Sequence, residues 1–382
     1  MLHRSDPWPS RIPQRSLVRP RTINKHSCYG KSRAAAAPWL PAFTLAVTEP
    51  NSPAIIVDRV TKSFPESHRF SAWLKHRGPP PRRVALSDVT LQIGRKELFG
   101  LLGLNGAGKT TLLKVLCTLA LPDKGAVRVD GIDVERNSLE ARRRIGYCSG
   151  DDRSFYWRLT GRENMELFGT LAGFKGRRLE QRIDDVIREV DLSDDLDRRY
   201  VTYSSGMRQR LGVARALLHD PPVLLFDEPT RTVDAKHAEN IRHFLRELVD
   251  RGGKTVVLAT NLVEEAWSIC DRVAIIRRGH IVTVQSPRHL SAQAIDKRTF
   301  CVLVDRVSDE FVARMRTLQG FVQLSTRPNG EGVWVDVEME ASTATLNQIF
   351  QALSPDGVSV RSFHVEQPRP FDIFVKWASD AE

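Results

Sequence analysis

The sequence predicts an α/β fold, a parallel sheet with crossover helices followed by a second, smaller α/β domain. Three observations predict it. From Glu97 to about Val284, short apolar strands alternate with amphipathic helices. Within that run, the glycine-rich loop Gly103–Gly108 lies between a buried strand and a helix. Beyond about Lys297 the pattern changes to strand-helix-strand-strand-helix-strand.

Composition supports a folded chain. The 382 residues are 41% hydrophobic and 27% charged, which excludes a wholly disordered or collagen-like protein. No stretch approaches the roughly 18 consecutive apolar residues of a membrane helix, so a membrane role needs a partner or a surface contact. Five cysteines (Cys28, Cys117, Cys148, Cys270 and Cys301) are far apart and in no metal-ligand spacing. They read as reduced thiols of a cytosolic compartment. The net charge is +11, but residues 1–52 alone carry eight Lys/Arg against Asp6 and Glu49. The body of the chain has no concentrated basic patch, so no nucleic-acid partner is expected.

Residues 1–52 are rich in Arg, Ser and Pro and lack an apolar period. They mimic a transit peptide, and Ala34–Val47 mimics a signal core interrupted by Pro38 and Pro41. The segment reads as a disordered basic tail or as an over-long start. Ile55–Val60 and Val89–Ile93 are expected strands by their β-branched content. Between them, residues 65–83 form an insert ending in Pro79-Pro80-Pro81. Phe70, Trp73 and Leu74 stand there at helical spacing beside Arg69, Lys75 and Arg77. That pattern suits a basic amphipathic helix at a membrane or partner, a helix packed on its own domain, or a mobile loop.

Glu97–Gly103 is expected as a buried strand, and a linker is expected near Ser286–Lys297. Past it, strands are expected at Phe300–Val304, Val322–Ser325, Val333–Val337 and Val358–His364, with helices at Glu310–Leu318 and Thr343–Leu353. This order fits a ferredoxin-like domain over 297–382, and nothing in it suggests chemistry.

The chemistry concentrates in three segments. Gly103-Leu104-Asn105-Gly106-Ala107-Gly108-Lys109-Thr110-Thr111 matches the phosphate-loop pattern. Its glycines let backbone N–H groups approach phosphate oxygens, and the helix beginning near Lys109 adds its positive N-terminal end. Lys109 would span the β- and γ-phosphates, and the Thr110 hydroxyl would ligate Mg²⁺. Val223–Phe226 then leads into Asp227 and Glu228. Asp227 at the strand end suits Mg²⁺, and Glu228, one residue further, suits a general base acting on water. Between these lies Tyr203-Ser204-Ser205-Gly206-Met207-Arg208-Gln209-Arg210, which leads into a helix. Ser204 and Gly206 at its start make a second phosphate-binding end, although a plain N-cap would explain Ser204 alone.

Together these elements resemble the nucleotide-binding subunit of ATP-binding-cassette (ABC) transporters over residues 53–290. The resemblance implies a P-loop NTPase cassette with a RecA-like core, an antiparallel β subdomain and a helical subdomain at about 151–205. Tyr203–Arg210 resembles the family signature, giving Ser204, Ser205 and Gly206 contact with ATP. Glu228–Asp234 resembles the D-loop, with Asp234 as its carboxylate. Phe64 falls where the family stacks an aromatic ring on adenine. Phe155–Asn164 resembles the start of the helical subdomain, which receives the membrane partner. Thr160 and Glu163 are spaced for a capping box there.

Two departures bear on mechanism. Ile145-Gly146-Tyr147-Cys148-Ser149 is followed by Gly150 where the family has Gln, and Asn261 replaces the switch His. Asp151 or Asp152 is a candidate substitute for the Gln. Asn261 can donate a hydrogen bond but carries no charge. The resemblance implies ATP and Mg²⁺ as cofactors, a second cassette as partner in a head-to-tail dimer, and a separate transmembrane permease. It places the chain peripherally on the cytoplasmic face of the membrane, as the ATPase of an exporter. Slow turnover is expected from Gly150 and Asn261. Two further readings are a degenerate regulatory cassette and a soluble factor acting on nucleic acid or ribosomes.

Overall fold

The structure, a computed structural model, describes residues 52–65, 81–150, 154–231, 233–294, 297–340, 346–353, 359–366 and 369–379. The expectations for the N-terminal tail, for the insert residues 66–80 and for Asp151 and Asp152 lie outside the described residues. The described residues form two compact units. One comprises those up to Leu98 with Thr110–Ala259, and the other comprises Phe99–Lys109 with those from Thr260 onward.

In chain order, β1 (Ile55–Pro65) and β2 (Arg82–Ile93) precede β3 (Leu98–Leu102) and α1 (Lys109–Leu116). Next come β4 (Lys124–Val129), β5 (Ile132–Asp133), α2 (Ser138–Arg143) and β6 (Ile145–Ser149). The helical stretch holds α3 (Gly161–Leu171), α4 (Gly176–Glu189) and α5 (Ser205–Leu217). It is followed by β7 (Val223–Asp227), α6 (Ala235–Asp250), β8 (Thr255–Thr260) and α7 (Val263–Ile269). Then come β9 (Arg272–Arg277), β10 (His280–Gln285) and α8 (Pro287–Ala294). The chain ends with β11 (Lys297–Val304), α9 (Asp309–Arg316), β12 (Phe321–Asn329), β13 (Gly332–Glu340), α10 (Leu346–Leu353), β14 (Val360–Glu366) and α11 (Pro370–Ser379).

In the first unit, β2-β1-β4-β5 make an antiparallel sheet, while β6, β7 and β8 run parallel in the order β8-β7-β6. Every residue of β7 and β8 is buried. Strands covered on both faces read as continuous apolar runs, which is why Val223–Phe226 lacks alternation. β1 and β2 pair as far as Pro65 and Arg82, so the insert's two ends continue the hairpin ladder. Asp123 ties this edge together. Its carboxylate accepts from Lys62 Nζ at 2.9 Å and from the Ser63 N–H and hydroxyl at 2.7 Å each.

The helical stretch begins on a reciprocal cap. The Thr160 hydroxyl accepts from the Glu163 N–H, and the Glu163 carboxylate accepts from the Thr160 N–H. The expected capping box is present. Behind it, the Arg215 guanidinium lies over the rings of Phe155 and Phe168, 4.9 and 5.1 Å from their centroids.

In the second unit, β9 pairs parallel with β3 and antiparallel with β10. Residues 286–297, expected as a linker, contain helix α8. Pro287 occupies its first turn, the Ser286 hydroxyl accepts from the His289 N–H, and Leu290 is fully buried. The C-terminal sheet has the order β12-β13-β11-β14 with every neighbour antiparallel. That order makes two interlocked split β-α-β units. Phe300, Val302 and Val304 of β11 share one core with Phe311 and Met315 of α9 and Ile349 of α10.

Candidate functional site

The loop after β3 is built by steric necessity at Gly103. A Cβ there would lie 2.5 Å from the Ile276 carbonyl oxygen, so only glycine fits. Gly106 and Gly108 have φ of 80° and 115°, conformations that glycine adopts freely. The loop is closed by Ala107 N–H donating to the Leu104 carbonyl at 3.1 Å, and fixed by Gly279 N–H donating to the Ala107 carbonyl at 2.8 Å. Lys109 is 5% exposed, and its ammonium donates to the Gly103 carbonyl at 2.7 Å and to the Leu104 carbonyl at 3.3 Å. The loop thus folds around its own cation. Leu104, Asn105 and Gly106 form its exposed lip. Asn261, also exposed, donates from Nδ2 to Asn105 Oδ1 at 3.4 Å.

Thr110 is exposed and Thr111 half-buried in the first turn of α1. Asp227 ends β7 with 7% exposure, and the Tyr147 hydroxyl donates to its Oδ2 at 3.5 Å. Burial pushes the Tyr147 phenol well above its usual range, with the Asp227 charge adding to that, so Tyr147 stays a neutral donor. Glu228 follows with φ of 50°, a strained conformation for a residue with a Cβ. Its N–H donates to the Ala259 carbonyl at 2.8 Å, and its Oε2 accepts from Arg231 at 2.9 Å. Gly150 sits against this turn. Its N–H donates to the Asp227 carbonyl at 2.9 Å, and a Cβ on it would lie 2.8 Å from the Glu228 carbonyl oxygen. The glycine that replaces an expected glutamine therefore has a packing reason.

Ser204 caps α5, its hydroxyl accepting from the Met207 N–H at 3.2 Å, with Ser205 opening the helix. The edge of His237 packs against Gly206, 3.4 Å from where a Cβ would stand. Asp234 caps α6, taking the His237 N–H at 3.0 Å and facing His237 Nδ1 at 2.7 Å. The His237 backbone and ring hold the Asp234 carboxyl below its usual range. Phe64, on β1 opposite Arg83, is 39% exposed with the Lys62 ammonium 5.4 Å from its ring centroid.

Four partners escaped the sequence reading: Asn105 for Asn261, Tyr147 for Asp227, Arg231 for Glu228 and His237 for Asp234. The last two stand three residues along the chain from the group they hold, a spacing that would have exposed them. The first two are distant in sequence and carry no local signal.

The residues present fit a nucleotide and a hard divalent cation. A loop in which a Cβ is forbidden, built around a buried ammonium, suits phosphate oxygens. Hydroxyl and carboxylate oxygens at Thr110 and Asp227 suit Mg²⁺. A family model described as ABC transporter matches residues 86–231. The daunorubicin resistance ATP-binding protein DrrA3 of Streptomyces coeruleorubidus is 34% identical over 298 residues, spanning 78% of this chain and 92% of that one.

The chain belongs to the ABC transporter ATP-binding proteins.

The ABC transporter ATP-binding protein NatA of Bacillus subtilis (strain 168) is 38% identical over 198 residues, 52% of this chain and 80% of that one. The methionine import ATP-binding protein MetN 2 of Paraburkholderia xenovorans (strain LB400) is 32% identical over 342 residues, 86% of this chain and 83% of its own length. Among solved structures, a dimeric ATP-binding cassette in a post-hydrolysis state bound to ADP and Pi superposes with a TM-score of 0.54 at 26% identity. It covers 61% of this chain and 99% of that one. The fold is that of an ABC cassette, a P-loop NTPase, and the family is one of ATPases. No described helix of this cassette is long and apolar enough to cross a membrane.

Proposed function

We propose that residues 53–290 are a cassette that binds and hydrolyses ATP to power a separate transmembrane permease, and that 297–382 are an accessory domain. The observation that carries this reading is the buried Lys109 ammonium held at the centre of the glycine loop. A cation fixed among the backbone groups of a glycine loop is placed to meet the oxygens of a triphosphate with charge-assisted bonds. Gly103, Leu104, Asn105, Gly106, Ala107 and Gly108 present the loop, and Lys109, Thr110 and Thr111 open the helix beneath it. Thr110 and Asp227 would hold Mg²⁺, which supplies charge neutralisation at the phosphates. Glu228 accepts the proton of the attacking water, with Arg231 and the fixed turn orienting its carboxylate. Asn261 donates toward the terminal phosphate, and Phe64 stacks on the base.

Ser204, Ser205, Gly206 and Asp234 have no role in their own chain's chemistry on this reading. They face the ATP of a second cassette in a head-to-tail dimer. The exposed Tyr156 and Trp157 at the start of the helical stretch are suited to receive the permease, since exposed aromatics mark contact surfaces. The reading places the chain peripherally at the cytoplasmic face of the membrane. Export is the proposed direction, in keeping with the similarity to a drug-resistance protein, while a methionine import protein aligns over more of this chain.

Asn261 favours a second reading, a regulatory cassette that binds ATP and scarcely hydrolyses it. Purified Glu228→Gln separates the alternatives. With Mg-ATP it should elute as a dimer in size-exclusion chromatography, and the parent should return to monomer as ATP is consumed. A parent dimer that persists with unhydrolysed ATP supports the regulatory reading. A Glu228→Gln protein that stays monomeric at saturating Mg-ATP contradicts the cassette dimer. Sedimentation with membranes only when the permease is co-expressed supports the partner, and permease-independent sedimentation contradicts it.

A further inference from the structure

The chain ends on a helix that belongs to the switch region rather than to the accessory sheet. α11 follows β14, yet the elements it packs against are α7, α8, β9 and β10. Its buried side chains are Ile373 and Phe374, 2% and 4% exposed. α7 turns inward Val263 and Ala266, 2% and 0% exposed, and its Trp267 indole donates to Ser291 of α8 at 3.3 Å. At the start of α11, Arg369 pairs with Asp372 at 2.9 Å and feels the charge of Glu264 in α7. The C-terminal helix thus packs against α7, and Ile373 and Phe374 are its buried side chains.

α7 begins two residues after Asn261. It has no side-chain N-cap, since Leu262 stands at that position. The Leu262 N–H is held by the Thr260 hydroxyl at 3.0 Å, and the Asn261 amide reaches Asn105 across 3.4 Å, at the weak end of the hydrogen-bond range. With no cap and only seven residues, α7 gains little from its own backbone. Packing against α11 and α8 must hold it.

From this we infer that α11, through Phe374 and Ile373, is a positioning element for Asn261. It fixes the register of α7, and so the direction in which the Asn261 amide points over the phosphate loop. Residues 370–379, within the proposed accessory domain, thereby act on turnover. This rests on the proposed role of Asn261 at the terminal phosphate. Phe374 and Ile373 are positioning residues and touch no nucleotide.

A double-mutant cycle on the full chain tests it. Phe374→Ala should lower kcat for Mg-ATP hydrolysis about tenfold while KM stays within about twofold, because the loop and Lys109 are untouched. Phe374→Leu, which refills most of the space, should recover most of kcat. In an Asn261→Ala background, Phe374→Ala should add less than about twofold. Parent-like turnover in Phe374→Ala overturns the inference, as does the same loss of kcat in both backgrounds, which would place the effect elsewhere. If Phe374→Ala melts far below the parent, Ile373→Ala carries the same cycle with the same two outcomes. Failure of the cassette reading is separate, being turnover that survives Lys109→Ala.

Discussion

Asn261 reaches Asn105 with its side-chain amide at 3.4 Å, tying the residue after β8 to the exposed lip of the glycine loop. The bond is long and open to solvent, so it yields readily to a better acceptor.

A terminal phosphate is such an acceptor, and an amide meets it without charge. On the proposed role, this contact counts most as charge redistributes in the transition state, where a charged donor serves better than a neutral amide. Asn261→His should therefore speed single-turnover hydrolysis at saturating ATP and leave ATP affinity unchanged. Equal rates in parent and variant would show that another group holds this role.

Gly150→Gln restores the residue that the family resemblance expects, yet it should slow turnover. Its Cβ would stand 2.8 Å from the Glu228 carbonyl oxygen, closer than real Cβ atoms approach backbone. The turn carrying Glu228 must then move, and that turn is already strained at φ 50°. Steady-state hydrolysis reads this out. A variant faster than the parent would mean the turn relaxes without cost to Glu228.

Sequence and structure agree where local chemistry dictates the answer. The Gly103–Thr111 loop, the buried strand before Asp227 and the Thr160 cap are each specified by adjacent residues. The helix Pro370–Ser379 was not foreseen, and segment 286–297 was misread, a short polar stretch that hid a helix. Pro287 and Leu290 are its buried residues among those described, and two positions give no visible period. The reason for Gly150 was illegible for a related cause. Its neighbour, the Glu228 carbonyl, lies in a strand-end turn distant in sequence, and only parallel pairing of β6 with β7 brings the two together.

Acid should weaken the β1–β2 edge. Bonds from Lys62 and then Ser63 hold the Asp123 carboxyl well below its ordinary range. A depressed carboxyl stabilises the fold fully above its unfolded pKa of about 4, and that contribution fades as pH falls below it. Asp123→Asn should melt below the parent at neutral pH by an amount on the order of 1 kcal/mol. The gap should hold down to about pH 5 and narrow under more acid conditions. A gap that widens in acid contradicts this assignment.

The described cysteines should resist alkylation in the folded protein. Cys117, Cys148, Cys270 and Cys301 are buried and unbridged, and burial pushes the Cys117 and Cys301 thiols up to about 12. The thiolate is the reactive form, so at mildly alkaline pH these two remain protonated. Iodoacetamide labelling followed by peptide mass mapping should mark them only after denaturation. Rapid native labelling of Cys117 would show that the core around α1 opens.

The central claim is that Lys109 binds and Glu228 reacts. The direct measurement is phosphate release from saturating Mg-ATP by the purified parent and Glu228→Gln, with ATP affinity measured on both. The parent should release phosphate continuously. Glu228→Gln should bind ATP as tightly and release phosphate at least about 100-fold more slowly, because it keeps the loop and loses the proton acceptor. Phosphate release at the parent rate by Glu228→Gln would contradict the account.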